Sequence, residues 1–117
     1  MRSRPPNPSR APLQLLSIVM PARDEEGCIA SSVEHLYVEL RLHNVPHEIV
    51  VVDDGSTDST WEQLLAVQQR VPTLRPVQNK GTHGFGRAII CGFEQIQGDA
   101  VVIMMADESD DCRDVVR

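Results

Sequence analysis

The stretch IVVVDDGSTDST, residues 49–60, decides the fold. Residues 49–52 are all apolar and β-branched, and the turn-forming residues Asp53, Asp54 and Gly55 follow them directly. A run of this kind is typical of a strand that is buried on both faces, as strands of parallel sheets are. The sequence therefore predicts a central strand with an acidic turn at its carboxyl end.

The segments on either side of this strand alternate between strand and helix patterns. Residues 13–20 and 100–105 are mostly apolar and predict two more strands, the second buried on both faces. Residues 73–78 predict an edge strand, because Pro72 and Pro76 cannot donate to a ladder. Three sets of residues at helical spacing, each mostly apolar, predict amphipathic helices: Ile29, Val33, Leu36 and Leu40; Trp61, Leu64, Leu65 and Gln68; Phe85, Ile89, Phe93 and Ile96. The pattern predicts the α/β class, with an open, mainly parallel sheet and flanking helices.

Charged side chains follow each predicted strand. They are Asp24 and Glu25, then Asp53 and Asp54, then Lys80, and finally Asp107 with Asp110 and Asp111. In open α/β sheets, ligands bind beyond the carboxyl ends of the strands. The sequence therefore predicts one ligand site built by several loops at this edge.

Composition and missing motifs exclude several classes of function. A net charge of −6 and 3% aromatic residues argue against nucleic-acid binding. No apolar run approaches the roughly 20 residues that span a bilayer. Neither a Gly-x-Gly-x-x-Gly after the first strand nor a Gly-Lys-Ser/Thr step is present, which argues against a dinucleotide fold and an NTPase phosphate loop. A receiver-like Mg²⁺-binding regulatory domain and a plain α/β interaction domain stay open as alternatives.

Four segments carry a resemblance to a known family. They are VMPARDEEGCI (19–29), VVDDGSTDST (51–60), NKGTHGFGRAIICGF (79–93) and VVIMMADESDD (101–111). Together they resemble the inverting glycosyltransferases of the GT-A fold, specifically the dolichyl- and polyprenyl-phosphate hexose synthases. The resemblance implies that the chain is the nucleotide-sugar-binding, Rossmann-like half of such a fold, apparently truncated.

The resemblance also implies which residues bind the donor. In this family the loop after the first strand contacts the nucleoside, which corresponds here to Pro21, Ala22 and Glu25. The acidic pair Asp53 and Asp54 corresponds to the residues that bind base or ribose.

The glycine-rich loop and the last acidic motif are implied to act on the diphosphate. Lys80 and Gly81 correspond to the loop that approaches the diphosphate, and Asp107 to the ligand of a divalent cation, Mg²⁺ or Mn²⁺. Asp107 and Lys80 are thereby the implied catalytic residues, because both would stabilise the charge of the leaving diphosphate. The family's Asp-x-Asp motif has Met105 in its first position here, so a single carboxylate with diphosphate oxygens and waters would have to complete the coordination.

The implied reaction transfers a hexose from a donor of the GDP-mannose or UDP-glucose type to a polyprenyl or dolichyl phosphate, with inversion. The implied partners are that donor and a lipid-phosphate acceptor at a membrane surface, which places the chain in the cytoplasm with peripheral association at the cytoplasmic membrane face. We expect residues 1–12 to be a disordered Pro- and Arg-rich tail and residues 13–117 to be an incomplete GT-A domain. Since the family continues beyond the metal motif with elements that hold the acceptor, a truncated, inactive nucleotide-sugar-binding module is the alternative.

Overall fold

A computed structural model describes residues 15–105 of the chain. Strands and helices alternate in the order β1 (Leu16–Ala22), α1 (Ile29–Leu42), β2 (His47–Asp53), α2 (Thr60–Gln68), β3 (Leu74–Gln78), α3 (Phe85–Phe93) and β4 (Ala100–Ile103). The strand order in the sheet is β3-β2-β1-β4, and every pair of neighbouring strands is parallel. The structure confirms the predicted open parallel sheet with flanking helices.

The core lies on both faces of β2. This strand is buried along its whole length and pairs with β1 from Leu16–His47 to Ala22–Asp53. Because side chains alternate between the faces of a strand, Ile49 and Val51 pack on the side of α1 and α2, whereas Val50 and Val52 pack against α3. Each of these four side chains is 0% exposed, and burial of one such side chain stabilises the fold by roughly 1.5–3 kcal/mol.

β1 extends further than the sequence predicts. The prediction ended this strand before Pro21, but the strand continues to Ala22; its predicted start at residue 13 lies outside the described residues. Val19 accepts a hydrogen bond from Met104 on the β4 side, and Pro21, two residues on, faces that same side. Since β4 pairs with β1 only as far as Val19, the missing N–H of Pro21 interrupts no ladder.

The prediction for the last strand is wrong in its burial, and the strand ends at Ile103 instead of residue 105. All four residues of β4 are exposed, although the sequence predicts burial on both faces. Within residues 15–105, β4 lies at an edge of the sheet, and β1 is its neighbour on one side.

The large side chains of α3 are also more exposed than predicted. Phe85 and Phe93 are 57% and 42% exposed, while the buried residues of the helix are Ala88, Ile89 and Gly92. The reason is close packing: a Cβ added at Gly92 would lie 2.5 Å from Cγ1 of Val19. Ala88 and Gly92, together with Ile89, therefore form the contact with the sheet. No helix within residues 15–105 is both long and apolar enough to cross a membrane.

A buried carboxylate joins the sheet to the α3–β4 connection at the amino ends of the strands. Glu48 is 5% exposed, and its Oε2 accepts hydrogen bonds from Ser17 Oγ and the Gln97 N–H, both at 2.6 Å. Its Oε1 accepts from Arg75 Nη1 at 2.7 Å. Ser17 Oγ in turn accepts from the Gly98 N–H at 2.9 Å. This network lies at the opposite end of the sheet from the predicted ligand edge.

Candidate functional site

A cavity of about 320 Å³ opens beyond the carboxyl ends of β2 and β3. It is lined by Asp53, Gly55, Ser56, Gln78, Asn79, Lys80 and His83. Its volume is at the lower end of the range of small-molecule sites, about 300–1,000 Å³. Both loops that build it follow parallel strands, so the cavity occupies the edge where the sequence predicts a ligand site.

Asp53 presents a buried carboxylate to this cavity. The residue is 4% exposed, and its Oδ1 accepts a hydrogen bond from the Ser56 N–H at 3.0 Å. Its backbone carbonyl accepts from the Asn79 N–H at 2.9 Å, which joins the ends of β2 and β3. Among residues 15–105, no hydrogen-bond donor contacts Oδ2 of Asp53. Oδ2 of Asp53 is therefore available to accept a hydrogen bond from a ligand.

Asp54 is equally buried, but its carboxylate is engaged by the glycine-rich loop. Oδ1 accepts from Asn79 Nδ2 at 2.9 Å and from His83 Nδ1 at 3.0 Å, and Oδ2 accepts from the Gly84 N–H at 2.8 Å. Burial alone would raise the pKa of Asp54, but the hydrogen bonds from Gly84, Asn79 and His83 outweigh it and lower the pKa below its ordinary value. Asp54 is therefore ionised at neutral pH.

The loop of residues 79–84 contributes Asn79, Lys80 and His83 to the lining of the cavity. The Lys80 side chain is exposed at the rim, and the Gly81 N–H donates to Asn79 Oδ1 at 3.2 Å. Gly55 has a φ of +82°, and a Cβ there would lie 2.8 Å from Nε2 of His83. A residue other than glycine would therefore be strained and would push against the imidazole ring.

A second set of hydrogen bonds joins the β1–α1 loop to the β2–α2 loop. Asp24 Oδ1 accepts from the Thr57 N–H at 2.7 Å, and Ser56 Oγ accepts from the Asp24 N–H at 2.8 Å. Further along, Glu26 Oε1 accepts from the N–H and Oγ of Ser59. These reciprocal contacts hold the two loops together beside the cavity.

Five of the seven donor-binding residues implied by the resemblance are not among the residues that line this cavity, and Asp54 is one of them. Pro21 and Ala22 are buried at the end of β1, where Ala22 belongs to the core. The Glu25 N–H donates to Thr60 Oγ1 at 2.8 Å in the joined loops. Asp53 and Lys80 line the cavity, and Gly81 lies in its loop.

Four of the lining residues are not among the site residues predicted from the sequence. Ser56, Gln78, Asn79 and His83 were assigned no role, yet all four face the cavity. Their position next to strand ends was a usable signal, because every side chain immediately after a parallel strand is close to that edge.

The described residues do not by themselves form a divalent-cation site. Within residues 15–105, no group of three or more His, Cys, Asp or Glu could hold a metal ion. Met105 supplies a soft thioether, which hard cations disfavour. Asp107, the implied cation ligand, lies outside the described residues, as do Asp110 and Asp111.

Solved structures with the same fold include glycosyltransferases in complex with nucleotide-sugars. A mannosyltransferase from Pyrobaculum calidifontis in complex with GDP-Man and Mn²⁺ superposes with a TM-score of 0.71 at 25% identity, covering 81% of this chain and 28% of that chain. Glucosyl-3-phosphoglycerate synthase from Mycobacterium tuberculosis, in complex with Mn²⁺, UDP-glucose and phosphoglyceric acid, gives a TM-score of 0.64 at 29% identity. That match covers 80% of this chain and 34% of the synthase. The GT-A expectation for the fold is confirmed.

Sequence comparison leads to the same family. Undecaprenyl-phosphate 4-deoxy-4-formamido-L-arabinose transferase from Pseudomonas fluorescens is 36% identical over 98 residues, which is 82% of this chain and 29% of the relative. The transferase of that name from Serratia proteamaculans is 31% identical over 100 residues, which is 82% of this chain and 30% of the relative. The chain thus spans about 30% of the length of these curated relatives. Residues 17–112 match the family described as Glycosyl transferase family 2. On the strength of that match, the chain belongs to glycosyl transferase family 2.

Proposed function

We propose that this chain binds the nucleotide-sugar donor of a glycosyltransferase that transfers a sugar to a polyprenyl phosphate. The observation that carries the proposal is the cavity at the ends of β2 and β3, with an available Asp53 oxygen inside and Lys80 at its rim. Family membership supports transferase chemistry and decides against the receiver-like alternative. The relatives' names supply the acceptor class, a polyprenyl phosphate.

Each end of the cavity suits a different part of such a donor. The Asp53 carboxylate accepts hydrogen bonds, and a nucleoside offers an imide N–H on its base and hydroxyls on its ribose. Lys80 is the single lysine of the chain, and its ammonium group at the rim would attract the diphosphate. Asp53 therefore binds base or ribose in this proposal, and Lys80 with Gly81 binds the diphosphate. Pro21, Ala22 and Glu25 stay predicted nucleoside contacts from the resemblance.

The proposed reaction is an in-line displacement at the anomeric carbon. An oxygen of the lipid phosphate forms the new bond to that carbon, while the bond to the β-phosphate oxygen breaks and the nucleoside diphosphate leaves. The configuration therefore inverts. A phosphate acceptor is already ionised near pH 7, because its second pKa is about 6, so the reaction requires no general base. Asp107 is the proposed protein ligand of a Mg²⁺ or Mn²⁺ ion, whose charge would stabilise the diphosphate.

The identity of the transferred sugar is the finer part of the proposal. The resemblance to hexose synthases favours mannose or glucose, whereas the names of the relatives specify 4-deoxy-4-formamido-L-arabinose. Asp53 and Lys80 are proposed to contact the nucleotide of the donor and not its sugar. A competition experiment between donors that carry different sugars would therefore identify the preferred sugar independently of nucleotide binding.

A second candidate is donor binding without transfer by these residues alone. The chain spans about 30% of its curated relatives, and the apolar residues of β4 are exposed. Both observations fit a module that holds the donor while other residues hold the acceptor.

The test is to measure the binding of UDP, GDP and their sugars by thermal shift and calorimetry, each with and without Mn²⁺. Asp53→Asn should weaken nucleoside diphosphate binding about tenfold or more, because loss of a charge-assisted hydrogen bond costs roughly 1.5–3 kcal/mol. Glu39→Gln is the matched control, since Glu39 is exposed near the far end of α1. Asp107→Ala should abolish the part of the shift that depends on Mn²⁺.

The results of these measurements distinguish the two candidate functions or reject the proposed site. Transfer of label from a nucleotide-sugar to undecaprenyl phosphate supports the enzyme, and binding without transfer supports the module. If no nucleoside diphosphate binds, or if Asp53→Asn binds as tightly as the wild type, the proposed site is wrong.

A further inference from the structure

Asp53 and Asp54 are adjacent and equally buried, yet their carboxylates face different surroundings. Asp53 lines the cavity, whereas the lining residues do not include Asp54. Three donors from residues 79–84 converge instead on the two oxygens of Asp54. The geometry points to a division of labour in which Asp54 positions residues 79–84 and Asp53 binds the donor; this inference rests on the proposed function.

The backbone of Asp54 is itself held by the sheet. Its N–H donates to the carbonyl oxygen of Ala22 at 2.8 Å, at the end of β1. A carboxylate on this fixed backbone provides a rigid anchor at the carboxyl edge. The anchored loop carries Asn79 and Lys80, which both line the cavity.

His83 links the loop to Asp54 and lies against Gly55. Because the Asp54 carboxylate only accepts hydrogen bonds, Nδ1 of His83 carries the hydrogen in their 3.0 Å contact. The imidazole occupies the space that a side chain at Gly55 would take, 2.8 Å from the site of the absent Cβ. The ring is therefore held between the Asp54 carboxylate and the backbone of Gly55.

An amide cannot replace the Asp54 carboxylate in this position. Asparagine has one acceptor oxygen and would direct its NH₂ group at one of the three donors that converge here. Asp54→Asn should therefore release the loop, while leaving the Asp53 oxygen in place. If the loop is ordered in only a fraction of molecules, the apparent affinity falls by that fraction.

The experiment measures nucleoside diphosphate affinity and loop order in the same variants of the full chain. Loop order is read from hydrogen exchange of the Gly84 amide, which donates to Asp54 Oδ2 at 2.8 Å. Asp54→Asn should weaken UDP or GDP binding about tenfold and accelerate exchange at Gly84 by at least tenfold. Asp58→Asn is the matched control, because Asp58 accepts hydrogen bonds from Glu26 and Thr60 and not from the loop.

A pair of variants at His83 tests the same point if Asp54→Asn does not fold. Asparagine places a donor N–H close to the position of Nδ1, whereas leucine has none. His83→Leu should bind the nucleotide about tenfold more weakly than the wild type with faster exchange at Gly84, and His83→Asn should recover part of both losses. This rescue by a hydrogen-bond donor is not expected if the histidine only fills space.

The outcomes that would overturn the inference differ from those that would overturn the proposed function. If Asp54→Asn loses binding while the Gly84 amide stays protected, Asp54 binds the ligand directly and the inference is wrong. It is also wrong if His83→Leu leaves both readouts unchanged. If the wild type binds no nucleoside diphosphate, the proposed function fails, and exchange at Gly84 across the same variants still decides whether Asp54 anchors the loop.

Discussion

Replacing Glu48 by glutamine should destabilise the fold far more than an ordinary surface change. The substitution keeps the size of the side chain but removes its charge and one of its two acceptor oxygens. In the wild type, those oxygens accept from Ser17, Gln97 and Arg75 at 2.6–2.7 Å. The amide group must therefore face either the Gln97 N–H or the Arg75 guanidinium, which are both donors.

The magnitude follows from these contacts. A hydrogen bond to a charged group contributes about 1.5–3 kcal/mol, and a buried donor left without a partner costs a further 1–3 kcal/mol. Because the Arg75 side chain is 36% exposed, its guanidinium regains part of this free energy by donating hydrogen bonds to water. We therefore expect Glu48→Gln to lower the free energy of unfolding by about 2–4 kcal/mol. Glu34→Gln removes a carboxylate paired with Arg70 at the surface, where the two side chains are 40% and 58% exposed, and should cost below about 1 kcal/mol.

Urea unfolding followed by circular dichroism and by fluorescence of Trp61, the one tryptophan of the chain, measures both variants. With a slope of about 1–3 kcal/mol/M, Glu48→Gln should lower the midpoint by roughly 1–2 M at an unchanged slope. If Glu48→Gln and Glu34→Gln lowered the free energy of unfolding equally, the expected difference would be wrong. Burial of the carboxylate and the number of its donors would then have no effect on stability.

The same carboxylate makes stability depend on pH. Burial alone would raise the pKa of Glu48, but the hydrogen bonds from Ser17 and Gln97 and the contact with Arg75 outweigh it and lower the pKa. A carboxylate with a lowered folded-state pKa contributes stability that is present above its unfolded pKa, about 4.3, and is lost as the pH falls through its folded value. The difference in unfolding free energy between wild type and Glu48→Gln should thus be constant at neutral pH and shrink below about pH 4. A difference that grows on acidification would contradict this sign.

Four further substitutions test the packing of the fold and the hydrogen bonds beside the site. Gly92→Ala should destabilise the fold by about 1–2 kcal/mol, because overpacking against Val19 costs about 1–3 kcal/mol and exceeds the gain in helix propensity of about 1 kcal/mol. Gly86→Ala, where a Cβ meets nothing within 4 Å, should be neutral or stabilising in the same thermal unfolding assay. Gly55→Ala should cost about 1–3 kcal/mol at its φ of +82° and should also weaken nucleotide binding, which calorimetry would show. Asp24→Ala should cost about 1–2 kcal/mol in urea unfolding, since the Thr57 N–H loses its acceptor; an unchanged midpoint would show that the two loops do not depend on this contact.

Much of the fold followed from residue patterns alone. The β-branched run at residues 49–52 and the apolar periodicity around it predicted the alternation of strands and helices, because periods of 2 and 3.6 are local properties of the chain. The location of the site followed as well, since strand ends in a parallel sheet share an edge. The exposure of Phe85 and Phe93 did not follow. Apolar spacing does not show that Gly92 brings α3 too close to Val19 for larger residues to form the contact.

The different surroundings of Asp53 and Asp54 were decided by tertiary structure. In the sequence they are two identical neighbours before Gly55, and nothing local distinguishes them. The difference arises because a loop some 30 residues further on brings three donors to one carboxylate and leaves an oxygen of the other facing a cavity. Composition and order along the chain thus determined the sheet and the edge at which the cavity lies. Which acid faces the cavity depended on contacts between distant segments, which exist only once the strands have paired.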